Sequence, residues 1–305
     1  AIRLDFNKSK CVMTNNNKRW TGKSRGGAFG YSFFIHCVKI FGIRTSYAFM
    51  SLIIFYFIIF APKATAASWQ YSRKILKKSR INSTIHVYLH FYNFGKVLID
   101  KLALNAGLTD KYSFSFENYE RFLSIINSGM GVVLIGAHIG NWQAGSSFFG
   151  KYGKKIYVVM FDAEHEKIKK HIEENIADRN FNIISTNGDT IEALIQMKVA
   201  LNNGEFVCFN GDRFIDNSSI MEKQFLGGTV SLPKGPFLIA QKCKVPVVFY
   251  FAVREKNMSY KFYFYEFKST EGYSASSIAD GYLSVLTSMI NKYPYQWFNF
   301  YKYWN

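Results

Sequence analysis

The sequence predicts an α/β fold in which a mostly parallel, twisted sheet is flanked by helices, with an N-terminal helical segment that anchors the chain to a membrane. Two observations lead to this prediction. From about residue 130 onward, short apolar runs rich in β-branched residues alternate with helical patterns, which is typical of right-handed βαβ crossovers. Before that point, residues 45–61 carry no charge. The 305 residues suffice for one large α/β domain or two small ones.

We expect three regions along the chain. The first residue is Ala and the first methionine is Met13, so residues 1–12 are interpreted as a leader or as residues added to the protein. Residues 13–110 are predicted to form an N-terminal helical region that associates with membranes. Residues 111–305 are predicted to form the α/β domain.

The uncharged run at residues 45–61 sits at the lower length limit of a bilayer span, and Pro62 and Lys63 follow it. Basic residues flank both ends, so the positive-inside rule gives no preference for a crossing, and we expect both flanks on the cytoplasmic side. A true crossing, a monotopic or re-entrant anchor and a buried core helix all remain open. A signal peptide cleaved near residues 64–66 is disfavoured because the region before it is too long.

Composition narrows the class of partner. The chain has 38 Lys and Arg against 21 Asp and Glu, a net charge of +17, which favours an acidic partner such as nucleic acid, anionic lipid or an acidic carrier protein. The aromatic content of 18% favours lipid, and no nucleic-acid-binding motif is present, so we expect no nucleic acid partner. The four cysteines form no Cys-x-x-Cys pair, so neither a metal site nor a disulfide framework is expected.

Five apolar runs are strand candidates: residues 131–137, 155–160, 181–185, 205–209 and 245–253. Between them, the spacing of Ile168, Ile172 and Ile176 predicts an amphipathic helix, and Asp189 with Glu192 predicts a capping box at the start of another. Residues 245–254 and 260–267 predict an antiparallel hairpin at one edge of the sheet. A helix over residues 274–293 then precedes an aromatic tail.

The motif with the clearest chemical meaning is residues 136–143 (GAHIGNWQ), where the first strand ends. Ligands of open α/β sheets collect at the carboxyl ends of strands, so His138 is placed for chemistry, and Gly140 permits close approach. We expect the other histidines to be structural; they are residues 36, 86, 90, 165 and 171.

The motif resembles the His-x4-Asp/Glu motif of glycerolipid-type acyltransferases, in the variant found in the late acyltransferases of lipid A biosynthesis. The likeness continues in order and spacing over residues 210–213 (NGDR), 225–228 (FLGG), 232–236 (LPKGP), 244–248 (KVPVV) and 293–298 (YPYQWF). Upstream, residues 20–27 (WTGKSRGG), the apolar segment and residues 95–101 are similar to Gram-negative members.

This resemblance implies a membrane-associated acyltransferase at the cytoplasmic face of the inner membrane. It would move a fatty acyl chain from acyl carrier protein or acyl-CoA to a hydroxyl or amine of a lipid or glycolipid acceptor, with the acyl thioester as co-substrate and no other cofactor or metal. His138 would be the base, since an imidazole suits proton removal at neutral pH. Asn141, Trp142, Asp212 and Arg213 would contact substrate.

The sequence departs from the motif at Gln143, which stands in the carboxylate position. An amide can accept a hydrogen bond from the imidazole of His138 but carries no charge to stabilise the imidazolium. Three explanations are open. Another acid, namely Glu205, Asp212 or Asp162, lies beside the imidazole; the chemistry is slower or the acceptor more nucleophilic; or the protein is a catalytically impaired paralogue that acts as a basic lipid-binding protein.

Overall fold

A computed structural model describes residues 27–145, 153–160, 181–186, 190–214, 219–269 and 272–304. Residues 1–12, most of the 20–27 motif, the predicted helix around Ile172, Asp162 and Asp189 lie outside the described residues.

The described residues form seven α-helices and nine strands. The helices are α1 Gly27–Phe60, α2 Pro62–Gln70, α3 Arg80–Asn105, α4 Tyr119–Asn127, α5 Thr190–Asn202, α6 Gly235–Cys243 and α7 Ala275–Lys292. The strands are β1 Ser113–Glu117, β2 Val132–Gly136, β3 Ile156–Met160, β4 Asn182–Ser185, β5 Phe206–Asn210, β6 Ile220–Phe225, β7 Gly228–Pro233, β8 Val247–Arg254 and β9 Ser259–Glu266. A π-helical turn (Tyr71–Ile75) and two 3₁₀ turns (Thr109–Lys111 and Trp142–Gly145) complete the elements. All five predicted strands are present.

Seven strands form one sheet in the order β1-β9-β8-β2-β5-β3-β4. Strands β8, β2, β5, β3 and β4 run parallel to one another, which confirms the mostly parallel sheet. Within it, β2 and β5 are neighbours, and Gly136 pairs with Asn210 at their carboxyl ends. This pairing brings the residues that follow the two strands to one place.

The predicted hairpin exists as β8 and β9, but its position at an edge of the sheet was wrong. Strand β1 pairs in parallel with β9 and covers its outer side. The sequence analysis missed β1: its alternation of Ser and Phe (SFSFE) is typical of a half-buried strand, but the run is only five residues long and is not one of the continuous apolar runs that marked the other strands. Leu226 and Gly227 form the tight turn between β6 and β7, where Gly227 has φ +82°, and Gly228 begins β7 opposite Phe225.

Helices cover both faces of the sheet and divide the core in two. Side chains of β2 alternate between the faces, with Val132 and Leu134 packed on the side of α1, α3 and α4. Val133 and Ile135 pack on the opposite side, with α5, α6 and α7. Because β2 is buried on both faces, its sequence is continuously apolar, as expected for a central parallel strand.

Helix α1 contains the uncharged segment seen in the sequence. It is interrupted at Gly42, whose φ of 82° and ψ of 169° are not helical. Residues Ser32–Phe60 are long and apolar enough to cross a bilayer by length and composition. The part after the kink packs along α3, where Met50 fills the space above Gly95. The helix is therefore a possible membrane anchor that also contributes to the core.

Candidate active site

The candidate site lies just beyond the carboxyl ends of β2 and β5. The backbone N–H of Gly211 donates to the Gly136 carbonyl at 2.9 Å and extends the contact between the strands past their last paired residues. His138 and Asp212 each follow two residues after their strand, so parallel pairing brings together side chains separated by 74 positions in sequence.

The imidazole of His138 is held by Asp212. The ring Nδ1 lies 2.8 Å from Oδ1 of the carboxylate, and the backbone N–H of His138 donates to Oδ2 at 3.0 Å. The indole Nε1–H of Trp297 also donates to Oδ2, at 3.1 Å. The Asp212 side chain is 1% exposed, whereas the His138 side chain is 24% exposed. A buried, fully engaged carboxylate therefore orients a ring that solvent and substrate can reach.

This geometry assigns the tautomer of the ring. An ionised carboxylate only accepts hydrogen bonds, so Nδ1 carries the proton that it donates to Asp212. The neutral imidazole then has its lone pair on Nε2, which is the atom that can take a proton from an acceptor. The same arrangement of base and orienting carboxylate operates in the Ser-His-Asp triad.

The charges of the pair agree with this assignment. Burial and the neighbouring Arg213 lower the pKa of His138 below its ordinary value of 6.5, although Asp212 opposes the shift. Burial alone would raise the pKa of Asp212, but His138 and Arg213 outweigh it and hold that pKa at about 2. At neutral pH the carboxylate is ionised and the imidazole is neutral, the form that a general base requires.

The turn after His138 explains the glycine of the motif. Gly140 has φ +64°, and a Cβ built on it would lie 2.1 Å from the carbonyl oxygen of Ala252. The next backbone N–H, of Asn141, donates to that carbonyl at 2.7 Å. The sequence predicted that this glycine permits close approach, and the group that it approaches is strand β8.

The remaining predicted site residues lie around this turn. Asn141 is buried, and Trp142 and Gln143 are half-buried in the 3₁₀ turn that follows. Trp142 lines an apolar pocket whose other apolar walls are Leu134, Ile156, Val158, Cys208, Phe209 and Tyr250. Gly136 and Asn210, at the strand ends that lead to the His-Asp pair, also line it. The pocket therefore reaches the strand ends that lead to His138 and Asp212, although neither of these two residues lines it.

Arg213 is engaged with the C-terminal segment. Its guanidinium donates to the carbonyl of Phe298 and lies 5.3 Å from the ring centre of Tyr301. These contacts tie the loop after β5 to the chain terminus, and the positive charge contributes to the lowered pKa of His138. A direct contact of Arg213 with substrate stays a prediction.

Asp212 gives a structural basis to the first explanation for Gln143. The carboxylate that bonds to Nδ1 of His138 comes from the neighbouring strand rather than from the fifth residue of the motif. Glu205 is not that partner, because it precedes β5 at the opposite end of the strand. The substitution at Gln143 therefore leaves the imidazole with a buried anionic partner.

Sequence reasoning missed the role of Trp297 in the site; His90, which it expected to be structural, is buried beside Trp297. The indole N–H of Trp297 donates a hydrogen bond to Asp212. The backbone carbonyl of Trp297 accepts a hydrogen bond from Nε2 of His90 at 2.8 Å. Burial lowers the pKa of His90 to about 4, so this histidine is neutral, and its Nδ1 lies 2.8 Å from the hydroxyl of Ser68. The 293–298 motif was recognised, but no local pattern could place its tryptophan beside Asp212.

The arrangement can remove a proton from a hydroxyl or amine at Nε2 while Asp212 stabilises the resulting imidazolium. Among the described residues, no group of three or more His, Cys, Asp or Glu side chains is placed to hold a metal ion.

Comparison with protein families identifies the relationship. The family model described as bacterial lipid A biosynthesis acyltransferase matches residues 90–305, a span that runs from within α3 to the end of the chain and contains the whole sheet and the His138–Asp212 pair. A search of curated proteins found no match. The family is membrane-associated and implies acyl transfer to a lipid acceptor. Because the matched span covers well over half of the chain and includes the site, the protein belongs to the family of bacterial lipid A biosynthesis acyltransferases.

Proposed function

We propose that the protein transfers a fatty acyl chain from an acyl thioester, carried by acyl carrier protein or coenzyme A, to a hydroxyl or amine of a lipid or glycolipid. The reaction would take place at the cytoplasmic face of the inner membrane. The observation that carries the proposal is the His138–Asp212 pair, in which a partly exposed imidazole is oriented by a buried carboxylate through a 2.8 Å bond.

In the proposed reaction Nε2 of His138 takes the proton of the acceptor as the acceptor oxygen or nitrogen attacks the thioester carbonyl. The new C–O or C–N bond forms, the C–S bond breaks, and the imidazolium returns its proton to the leaving thiolate. Asp212 stays ionised and stabilises the imidazolium between these two steps. The acyl group passes directly from donor to acceptor, without a covalent acyl-enzyme.

An apolar pocket that reaches the carboxyl ends of β2 and β5 is consistent with an acyl substrate. Its walls are mainly apolar side chains of β2, β3, β5 and β8, together with Trp142. Burial of a hydrocarbon chain against such walls contributes about 0.8 kcal/mol for each methylene removed from water. These apolar walls could form only the inner end of the surface that receives the acyl chain, because the pocket itself is too small to hold a whole fatty acyl chain.

A catalytically impaired, basic lipid-binding protein is the second candidate, and Gln143 is the observation in its favour. That observation loses weight because Asp212 supplies the negative charge that Gln143 lacks. Both candidates bind lipid, so activity separates them.

The test is acyl transfer by purified protein in detergent, with acyl-carrier-protein and coenzyme A thioesters as donors and bacterial lipid as acceptor, followed by mass spectrometry. His138→Ala should abolish the product. His36→Ala is the matched control, since His36 is exposed on α1 and bonds to the backbone of its own helix. Equal product from wild type and His138→Ala would rule out the mechanism.

A further inference from the structure

Helix α1 exposes a band of large apolar side chains along residues 43–60, and the start of α3 continues it. The band, called here the apolar face, consists of Phe49, Leu52, Phe55, Tyr56, Ile59 and Phe60 on α1 with Ile81 and Ile85 on α3, each between 41% and 76% exposed. The α1 members recur at helical spacing and so share one side of the helix. A contiguous exposed surface of this kind marks an interaction site.

Near the start of residues 43–60, the opposite side of the same helix is hydrogen-bonded to the α/β domain. Tyr47 donates a hydrogen bond to the buried carboxylate of Asp100 on α3. That carboxylate also accepts from Nε of Arg254, at the end of β8, at 2.7 Å. A hydrogen bond to a charged group contributes about 1.5–3 kcal/mol, so the bond from Tyr47 to Asp100 holds this end of the helix on the domain.

The far end is locked as well. After α1, helix α2 places the Ser68 hydroxyl 2.8 Å from His90. Tyr71, which is buried, donates to the carbonyl of Pro294 at 3.2 Å, and Lys78 donates to the Tyr295 hydroxyl at 3.3 Å. These contacts attach the chain after α1 to the C-terminal segment of the α/β domain.

Both ends of residues 43–60 are therefore bound to the same domain. A helix of this length spans about 27 Å, close to the ~30 Å hydrocarbon core, so a crossing would put its two ends on opposite sides of the bilayer. Because both ends are attached to the same domain, a crossing would require part of that domain, including the buried Asp100–Arg254 pair, to lie within the hydrocarbon. The segment can contact lipid only through the apolar face.

The charges around the apolar face indicate the kind of lipid headgroup that it would meet. No Asp or Glu occurs between residues 6 and 99. Five exposed cations follow the end of α1 within twenty residues: Lys63, Arg73, Lys74, Lys77 and Arg80. Cations beside an apolar helix face are attracted to a leaflet with anionic headgroups.

We propose that residues 43–60 do not cross the membrane and that the apolar face docks in the plane of an anionic leaflet, with the cations of residues 63–80 on its headgroups. This rests on the membrane association of the proposed function and specifies its geometry. The residues that follow α1 contact the segment carrying Trp297, which bonds to Asp212, so docking brings the site close to the lipid surface.

Vesicle flotation tests the docking surface. Leu52→Glu combined with Ile59→Glu should lower binding to phosphatidylglycerol vesicles at least tenfold for each side chain, because each substitution puts a charge in the contact. Ile191→Glu combined with Ile195→Glu is the matched control: both isoleucines are exposed (66% and 57%), but they lie on α5, across the sheet. Equal loss from both double variants, or none from the first, would overturn the proposal, as would equal binding of the wild type to neutral vesicles.

Topology is tested independently of binding strength, in the otherwise wild-type chain. Thr45→Cys and Lys63→Cys introduce exposed thiols at the two ends of the segment. In inverted inner-membrane vesicles, a membrane-impermeant maleimide should label both variants above the wild-type background. Labelling of only one before the vesicles are opened would show a crossing and contradict the proposal.

Failure of the proposed function gives a different result. Acyl transfer in detergent needs no bilayer and is measured on the same preparations. Absent transfer with intact vesicle binding would reject the enzyme proposal and leave the docking surface in place, whereas normal transfer with opposite labelling of the two ends would reject only the docking geometry.

Discussion

Replacing Asp212 by Asn tests the partnership at the centre of the site. The carboxylate accepts bonds from Nδ1 of His138 at one oxygen and from two N–H groups at the other. An amide has only one oxygen. If that oxygen serves the backbone and Trp297 donors, its NH₂ faces Nδ1 and forces the ring proton onto Nε2, where the lone pair is needed.

The magnitude follows from the same geometry. The variant loses both the correct tautomer and the charge that stabilises the imidazolium. The equivalent substitution in a serine-protease triad lowers kcat about 10⁴-fold. With Asp212 almost completely buried, little water is present to compensate, so we expect a fall in kcat of about 10³ to 10⁴-fold, or ~4–5.5 kcal/mol of transition-state stabilisation.

The assay is transfer from one acyl thioester in detergent, with kcat and KM determined separately and folding checked by circular dichroism. Gln143→Ala is the comparison, because that residue occupies the carboxylate position of the motif. It should lower kcat less than tenfold, and Gln143→Glu should preserve or raise it. A folded Asp212→Asn protein with nearly normal kcat, beside an inactive Gln143→Ala protein, would refute the reasoning and make Gln143 the partner.

Four further results are expected. If His138 is the neutral base, kcat/KM should stay level as the pH falls through 6.5 and decline only below it, because the pKa of His138 is lowered from 6.5; a decline centred above 6.5 would contradict the assignment. Gly140→Ala should destabilise the fold in urea by about 1–3 kcal/mol more than Gly153→Ala, because both glycines have φ +64° but only the first would meet a carbonyl. Trp297→Phe should lower kcat roughly 10-fold or more through the lost bond to a charged acceptor. Trp304→Phe removes an indole hydrogen bond to a backbone carbonyl and should change kcat little. Equal effects of the two substitutions on kcat would assign Trp297 a packing role only. At low salt the +17 chain should prefer acyl carrier protein over acyl-CoA in kcat/KM, with the preference shrinking as salt rises; parallel salt curves would leave the two donors equal.

The sequence pointed to His138 as the candidate base but could not select its partner, for a physical reason. His138 follows an apolar strand and belongs to a local motif, so it could be found from neighbouring residues alone. Asp212 reaches it only because β2 and β5 are adjacent and parallel with Gly136 opposite Asn210, and strand register cannot be read from one sequence. Asp212 was a named alternative, but nothing in the sequence ranked it above Glu205 or Asp162.

Elements without a strong local signal were missed or misplaced. Strand β1 is short and half-exposed. Because β1 pairs with β9, the β8–β9 hairpin does not lie at the edge of the sheet as predicted. The uncharged segment at residues 45–61 was correctly read as helical and apolar. Its inner contacts, such as Tyr47 with Asp100, depend on tertiary packing. Deletion of the segment would therefore also remove core contacts, so point substitutions on its outer side are the more informative changes.

The most direct test of the central claim is a mass-spectrometric comparison of lipids from cells that make the wild-type protein, the His138→Ala variant or neither. Acyl transfer with His138 as base predicts a lipid that carries one additional acyl group in place of one hydrogen, only in cells with the wild-type protein. The same lipid in cells with His138→Ala would contradict the mechanism, and its absence from all three would contradict the acyltransferase assignment for the lipids of those cells.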